Sequence, residues 1–461
     1  MAAEKSGWNS IWPSEACVFG GVIESRIAAA EAVRGVSPKI SFPSREKLSL
    51  LGSPLLPEAI SGSIDGKLAA VRILTSRLAE LSAHPALFIL KNCLAAPKVL
   101  YLLRTAPAWL EDPKLAEFDT MIHDSLSGIT NADIWDSCWI QTTLPVSRGG
   151  LGIRRTEELA LPAFLASVFS VADLIPLINP EADLDDIISE PTRRWCHLAD
   201  HPVPPLFLQK VQKLWDTPLV DRTCKQLLDD AVDNITKARI LATATRESGL
   251  WLHALPSPSL GNLLDDNTLC ISVALRIGAV VCLRHTCRCG SVVETSGHHG
   301  LSCRNSAGRH SRHSAINDIV KRTLGSAHVP AIREPPGLDR DDGKRPDGMS
   351  MVPWTYGKAL VWDVTCVDTL AQSYTNQTAA TVGAAVAQAE TRKNTHYQYL
   401  AGRYFFVPLA FETFGPWGEA AKSLISAIGQ KITEHSGEKR ATDFCGREFL
   451  LRCSGVTPFQ F

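Results

Sequence analysis

The sequence predicts a multi-domain α/β protein with helical N-terminal and middle regions, a small zinc knuckle, and a C-terminal α/β domain built on a mixed sheet. Three observations carry that reading. Apolar residues recur at helical spacing early in the chain, as at Leu68, Val71, Leu74, Leu78 and Leu81. Cys287, Cys289, the histidine pair His298-His299 and Cys303 fall at metal-ligand spacing. Beyond them, apolar runs of strand and helix character alternate as helix, three strands, helix, strand.

Length and composition bound the rest. The 461 residues have room for about two to four domains of roughly 150 residues each. Hydrophobic content of 45% and charged content of 21% are those of a globular chain. Thirteen cysteines, mostly single and in apolar contexts such as Cys93, Cys138, Cys270 and Cys366, argue for buried thiols in a reducing compartment and against a disulfide framework. Met1 to Ser10 is too polar for a signal peptide. The apolar runs Pro85–Leu103 and Leu269–Leu283 are broken by Lys91, Pro97 and Lys98 and by Arg276, so no membrane span is expected. A soluble, intracellular protein follows as the expectation. The net charge of -1 is uninformative, but between Arg284 and Arg322 seven Lys/Arg stand against two acids. Such a basic stripe is the footprint of a phosphate-binding surface. Its candidate contacts are Arg309, Arg312, Lys321 and Arg322.

Residues 1–60 read as short strands and turns around Gly20-Gly21, Ile40–Pro43 and Leu50–Pro54. Helices are expected over Ser63–Leu81, over Pro85–Arg104 with a break near Ala96 set by Pro97, and over Pro113–Ile129. The turn Ser147-Arg148-Gly149-Gly150-Leu-Gly152-Ile-Arg154-Arg155 lacks the spacing of a nucleotide-binding loop. It reads as a plain tight turn or as one that presents Arg148, Arg154 and Arg155 to a nucleic-acid backbone. An apolar helix over Glu157–Val171 and a helical, polar-faced region to about 270 follow, in which Asp229-Asp230 and Asp265-Asp266 read as solvated or capping carboxylates. The resulting segments are 1–60, 61–180, 181–283, 284–306, 307–435 and a tail, 436–461.

Chemistry concentrates between Cys287 and Lys393. Cys287, Cys289, His298 and Cys303 supply the three thiolates and one imidazole of a closed structural zinc site, with His299 able to replace His298, and Gly290 permits the reversal after the first pair. Asp347 and Asp363 fall on consecutive expected strands (Lys344–Met351 and Ala359–Val367), and Lys393 on an expected helix (Thr378–Leu400). Two such aspartates can share a magnesium ion that activates water against a phosphodiester, with a lysine steadying the developing charge. Glu390, three residues before Lys393 on that helix, is a further candidate, and Glu334 a possible third carboxylate. An aspartate inside the apolar run Leu360–Val364 is costly without a partner, which favours a functional role.

In this order, the zinc knuckle, Gly308-Arg-His-x-Arg-His313, Arg345-Pro-Asp347, Trp362-Asp-Val-Thr365 and Ala389-Glu390-x-x-Lys393 resemble the C-terminal end of non-LTR retrotransposon polyproteins of the restriction-like endonuclease type. Upstream, Leu50–Leu55 resembles the last palm segment of the reverse transcriptase, Phe88–Cys93, Pro97-Lys98 and Tyr101–Arg104 its thumb, and Ser147–Ile153 the segment after it. The resemblance implies a restriction-endonuclease-like domain of the PD-(D/E)xK kind. It implies nicking of double-stranded target DNA to prime reverse transcription, with the element RNA as a candidate second partner and the nucleus as the location. The polymerase aspartate pair does not occur in the sequence, so no polymerase activity is expected and the chain reads as a truncated element product. Thr365 stands where the ordinary pattern has lysine, and His396 where a later lysine is expected. The alternative reading is a nucleic-acid-binding remnant without catalysis.

Overall fold

A computed structural model describes residues 15–18, 21–259, 261–338 and 345–438, with 307–310 described in backbone only. The tail beyond 438 and the first residues lie outside this range. The chain gathers into two compact units. One comprises Met1–Ile73, Pro97–Asp119 and Thr156–Asp216; the other comprises Leu74–Ala96, Thr120–Arg155 and Thr217–Phe461.

In the first unit the expectation of strands and turns over 1–60 is only partly met. Ile23–Val36 is a helix, as its run of alanine, glutamate and arginine favours. The turn Leu51-Gly52 closes a two-residue hairpin pairing Ser49 with Pro54, both turn residues taking positive φ. Asp119 accepts hydrogen bonds from the Thr156 amide and hydroxyl at 2.8 and 2.9 Å, capping the helix Thr156–Val171. Trp195 and Trp215 meet edge to face at 4.9 Å, and the Trp195 indole donates to the Trp215 carbonyl at 3.0 Å.

Pro57–Leu78 and Asp112–Thr130 are helices. The expected break near Pro97 is present: Ala83–Ile89, a π-turn at Leu90–Leu94 and Ala96–Thr105 follow one another. Ala83–Thr105 is long and apolar enough to cross a membrane by length and composition alone, and half of its apolar window is buried within the fold.

The second unit is built around buried cations. Arg276, 4% exposed, ends the helix Asp266–Ile277. Its guanidinium donates to the carbonyls of Gly150, Ser248, Val146 and Thr243 and to the Ser248 hydroxyl, over 2.8–3.2 Å. Arg239 donates to Gln141 and to the Arg276 carbonyl at 2.7 and 2.6 Å. The glycine turn is therefore an internal joint. A Cβ on Gly150 would lie 2.0 Å from the Leu144 carbonyl oxygen, so only glycine fits. Asp265 caps its helix as expected, accepting from the Thr268 amide at 3.0 Å.

The C-terminal part of this unit runs helix Ala307–Ser326, strands Ala331–Arg333, Gly348–Thr355 and Lys358–Val367, helix Ala384–His396, strand Phe405–Glu412 and helix Glu419–Ser436. The strands form one mixed four-stranded sheet in chain order: the first two pairings are antiparallel and the last is parallel. Leu360, Trp362 and Val364 face a core shared with Ile316, Val320, Leu424 and Ile428 from the first and last helices. Val361, Asp363 and Thr365 alternate to the opposite face. The helix expected as continuous over 378–400 instead begins at Ala384, because Gly383 takes φ 76° and interrupts it.

Arg276→Met would strand several buried carbonyls at once. It is expected to lower the unfolding free energy of the chain by about 3 kcal/mol or more, measured by urea denaturation. A change under about 0.5 kcal/mol would show that the joint is not energetically central.

Candidate functional site

The candidate metal centre is set by a small hairpin and one helical turn. His285–Thr286 pairs with Val292–Val293, and Gly290, at φ 89°, lets its amide reach the Cys287 carbonyl at 2.8 Å. The ligand atoms of Cys287, Cys289, His299 and Cys303 all lie within 4.8 Å of one another. The Cys287 and Cys303 sulfurs are 3.7 Å apart, against about 3.8 Å for two thiolates on a tetrahedral zinc. Hydrogen bonds from Ser291 hold the Cys289 thiol down at about 6, the thiolate form zinc requires. Burial pushes the Cys303 thiol up, so metal binding there must displace a proton. This group can hold a metal such as zinc.

The ligand His298 gives way to its neighbour. His298 turns inward, its ring edge-on to Phe414 at 6.0 Å. Its Nε2 is buried with no hydrogen-bond partner among the described residues. Burial pushes its pKa down to about 4, so it stays neutral. The one-turn helix His299–Ser302 points adjacent side chains about 100° apart, so only one of the two histidines can face the sulfurs.

The second cluster grows from strand register. Gly348 pairs with Trp362 across the antiparallel ladder, so Asp347, just before its strand, which starts at Gly348 and not at the expected Lys344, stands opposite Asp363. A Cβ on Gly348 would come within 2.0 Å of the Trp362 ring; the glycine exists because the indole lies over it. The Trp362 indole donates to Asn317 at 2.9 Å, and Asn317 donates to the His313 carbonyl at 3.2 Å. This seats the helix Ala307–Ser326 so that His313 Nε2 reaches Asp347 Oδ2 at 3.0 Å. The same oxygen accepts from the Val364 amide at 2.7 Å. Lys393 donates to Asp363 Oδ1 at 2.5 Å and Tyr397 to Oδ2 at 2.6 Å.

Asp347, Asp363, Lys393, His313 and Tyr397 thus line a single cleft of about 700 Å³, whose rim carries Glu334 and Arg345 paired at 2.8 Å. Burial pushes the Asp347 carboxyl up, but the hydrogen bonds from His313 and the Val364 amide outweigh it and hold it below the usual carboxylate range. The hydrogen bond to Asp347 raises His313. Asp363 is raised by burial and by the facing Asp347, with Lys393 and Tyr397 pulling back. Paired carboxylates with environments pushed apart are what a cation or proton-transfer site needs.

Other expected residues lie elsewhere. Glu390 does not line the cleft: its Oε1 accepts from the Ala420 amide at 3.1 Å, capping the helix Glu419–Ser436. A Cβ on Gly418 would collide with that carboxylate at 1.8 Å. Arg312 is 2% exposed and donates to the Leu301 carbonyl at 2.7 Å, a packing role that removes it from a nucleic-acid surface. Arg148 is exposed but paired with Asp221 at 2.7 Å. Arg154 is half-buried and reaches the Thr143 carbonyl at 3.4 Å. Lys321 and Arg322 are exposed, about 12 Å along the helix from His313 at 1.5 Å per residue. The Arg309 side chain is outside the described residues. Sequence reasoning gave no site role to His313 or Tyr397. Tyr397 could have been found from its place four residues after Lys393, one helical turn on.

No protein-family model and no curated protein matches the chain.

Cys289→Ser and His299→Ala are expected to abolish stoichiometric zinc in the purified chain, measured by elemental analysis, whereas His298→Ala retains it. Retention of zinc by His299→Ala would overturn the assignment. Glu390→Ala is expected to lower stability by about 1 kcal/mol without weakening divalent-cation binding, the two being separable by thermal melts with and without the cation.

Proposed function

We propose that this chain is a metal-dependent DNA endonuclease of the restriction-like PD-(D/E)xK type carried by non-LTR retrotransposons, nicking target DNA so that the free 3′ end can prime reverse transcription. The observation that carries the reading is the convergence of Asp347, Asp363 and Lys393 in one cleft. The order helix, three strands, helix, strand, with a mixed sheet, supports it. Double-stranded DNA is the proposed substrate, the element RNA a candidate partner, and the nucleus the location this substrate calls for.

The hard-oxygen donors Asp347 and Asp363 suit magnesium, which takes carboxylate oxygens and keeps several waters. Bound there, the ion would polarise the phosphodiester and lower the pKa of water. His313 and the Val364 amide hold Asp347 ionised and oriented. Tyr397 fixes the second oxygen of Asp363. Lys393, 2.5 Å from Asp363, is placed to steady the attacking water or the negative charge that builds on the phosphate. Zinc on the four-ligand group has a structural role, since no open position remains.

The alternative, a nucleic-acid-binding remnant without catalysis, is favoured by Thr365 standing where the usual pattern has lysine. The test is nicking of supercoiled plasmid by the full chain with magnesium. Asp363→Ala is expected to lose at least about 100-fold, and His313→Ala about 10- to 100-fold, as for partners that orient a metal ligand. No magnesium-dependent nicking from a folded, zinc-loaded chain would select the remnant. Salt dependence of DNA affinity would then measure its phosphate contacts.

A further inference from the structure

Past the pair Gly348–Trp362, the Asp363 strand continues to Val367 with no strand beside it on that edge among the described residues. A second cavity of about 520 Å³ lies along this bare edge, lined by residues that include Leu301, Arg312, Thr365, Asp368, Ala371 and Tyr374. It opens into the cleft already described, since Thr365 and Tyr374 line both.

Its chemistry is that of a ring site. Leu301, Ala371 and the Tyr374 ring offer apolar and aromatic walls. The Thr365 hydroxyl is buried and has no hydrogen-bond partner among the described residues. Asp368 Oδ1 accepts from the Leu370 amide and the Thr413 hydroxyl at 3.2 and 3.0 Å, which holds the carboxylate in place. Past the Val364 amide, which Asp347 takes, the unpaired edge still offers backbone donors and acceptors, as does the Watson–Crick edge of a base. The volume falls within the range of about 300–1,000 Å³ that suits one small ligand and is too small for a duplex, whose major groove alone is about 12 Å wide.

We propose that this cavity receives the base of an unpaired DNA nucleotide beside the bond being cut, so that the substrate is DNA carrying an unstacked base next to the nick site. The proposal rests on the endonuclease reading for the identity of the nucleic acid and for the adjacent chemistry.

The test compares two duplex oligonucleotides, one fully paired and one with a single unpaired base, cut by the full chain with magnesium. The unpaired duplex is expected to be cut about tenfold faster, the order of effect of stacking one base on an aromatic ring. Ala371→Trp fills the cavity without entering the cleft, and is expected to abolish the preference while cleavage of the paired duplex persists. Ala371→Leu, a smaller intrusion, replaces it if the tryptophan variant melts early. Equal rates on both duplexes, or a preference that survives a folded Ala371 variant, would overturn the proposal. If neither duplex is cut, the endonuclease reading fails and fluorescence anisotropy decides the pocket. Binding about tenfold tighter to the unpaired duplex, lost in the Ala371 variants, would support it, and indifference would sink it as well.

Discussion

The second unit depends on a positive charge that no carboxylate among the described residues neutralises. Arg276 is fully enclosed, and burial pulls its pKa down to about 9. It remains charged at neutral pH, so every lone pair it finds must come from backbone or hydroxyl oxygen. Those acceptors lie on three separate stretches, around 146–150, 243 and 248. Ser248 in turn donates to the Phe414 carbonyl at 2.7 Å, just past the last strand of the sheet. One guanidinium thereby ties the glycine turn and the middle helices to the sheet. Arg239 and Lys91, with pKa values pulled by burial to about 10 and about 8, repeat the device. Lys91 reaches the Leu252 carbonyl at 3.1 Å.

The cleft follows the same economy of shared partners. Trp362 closes the core beneath the sheet, forces glycine at 348, and holds Asn317. Asn317 positions the backbone that carries His313, and His313 holds Asp347. Packing below the sheet and charge above it are therefore one mechanical chain. On the other side, Glu390 holds the last helix while Lys393, one turn later, holds Asp363. The helix Ala384–His396 is gripped at these two contacts among others, which limits how far Lys393 can drift.

The metal centre is joined to the cleft by Arg312. Its guanidinium meets the carbonyl of Leu301, inside the helical turn that carries His299. It also lies one residue before His313. A metal bound by the four-ligand group would brace, through Leu301 and Arg312, the helix whose histidine meets Asp347.

The sequence by itself set out the order helix, three strands, helix, strand after residue 307, though not the last helix Glu419–Ser436, and the Cys/His spacing, because hydrophobic period and ligand spacing are local properties; that Asp347, Asp363 and Lys393 line one cleft is tertiary. It determined the break before Pro97 and the cap at Asp265 for the same reason. Only the tertiary structure decided between His298 and His299, since both satisfy the spacing and the choice depends on which ring finds Phe414. Glu390 and Arg312 were misread for a related cause. Spacing on a helix states a direction, but not whether a distant helix end or a carbonyl waits there to take the charge. Arg276 appeared in sequence only as a break in an apolar run. Its role came from oxygens more than a hundred residues away, brought together by folding.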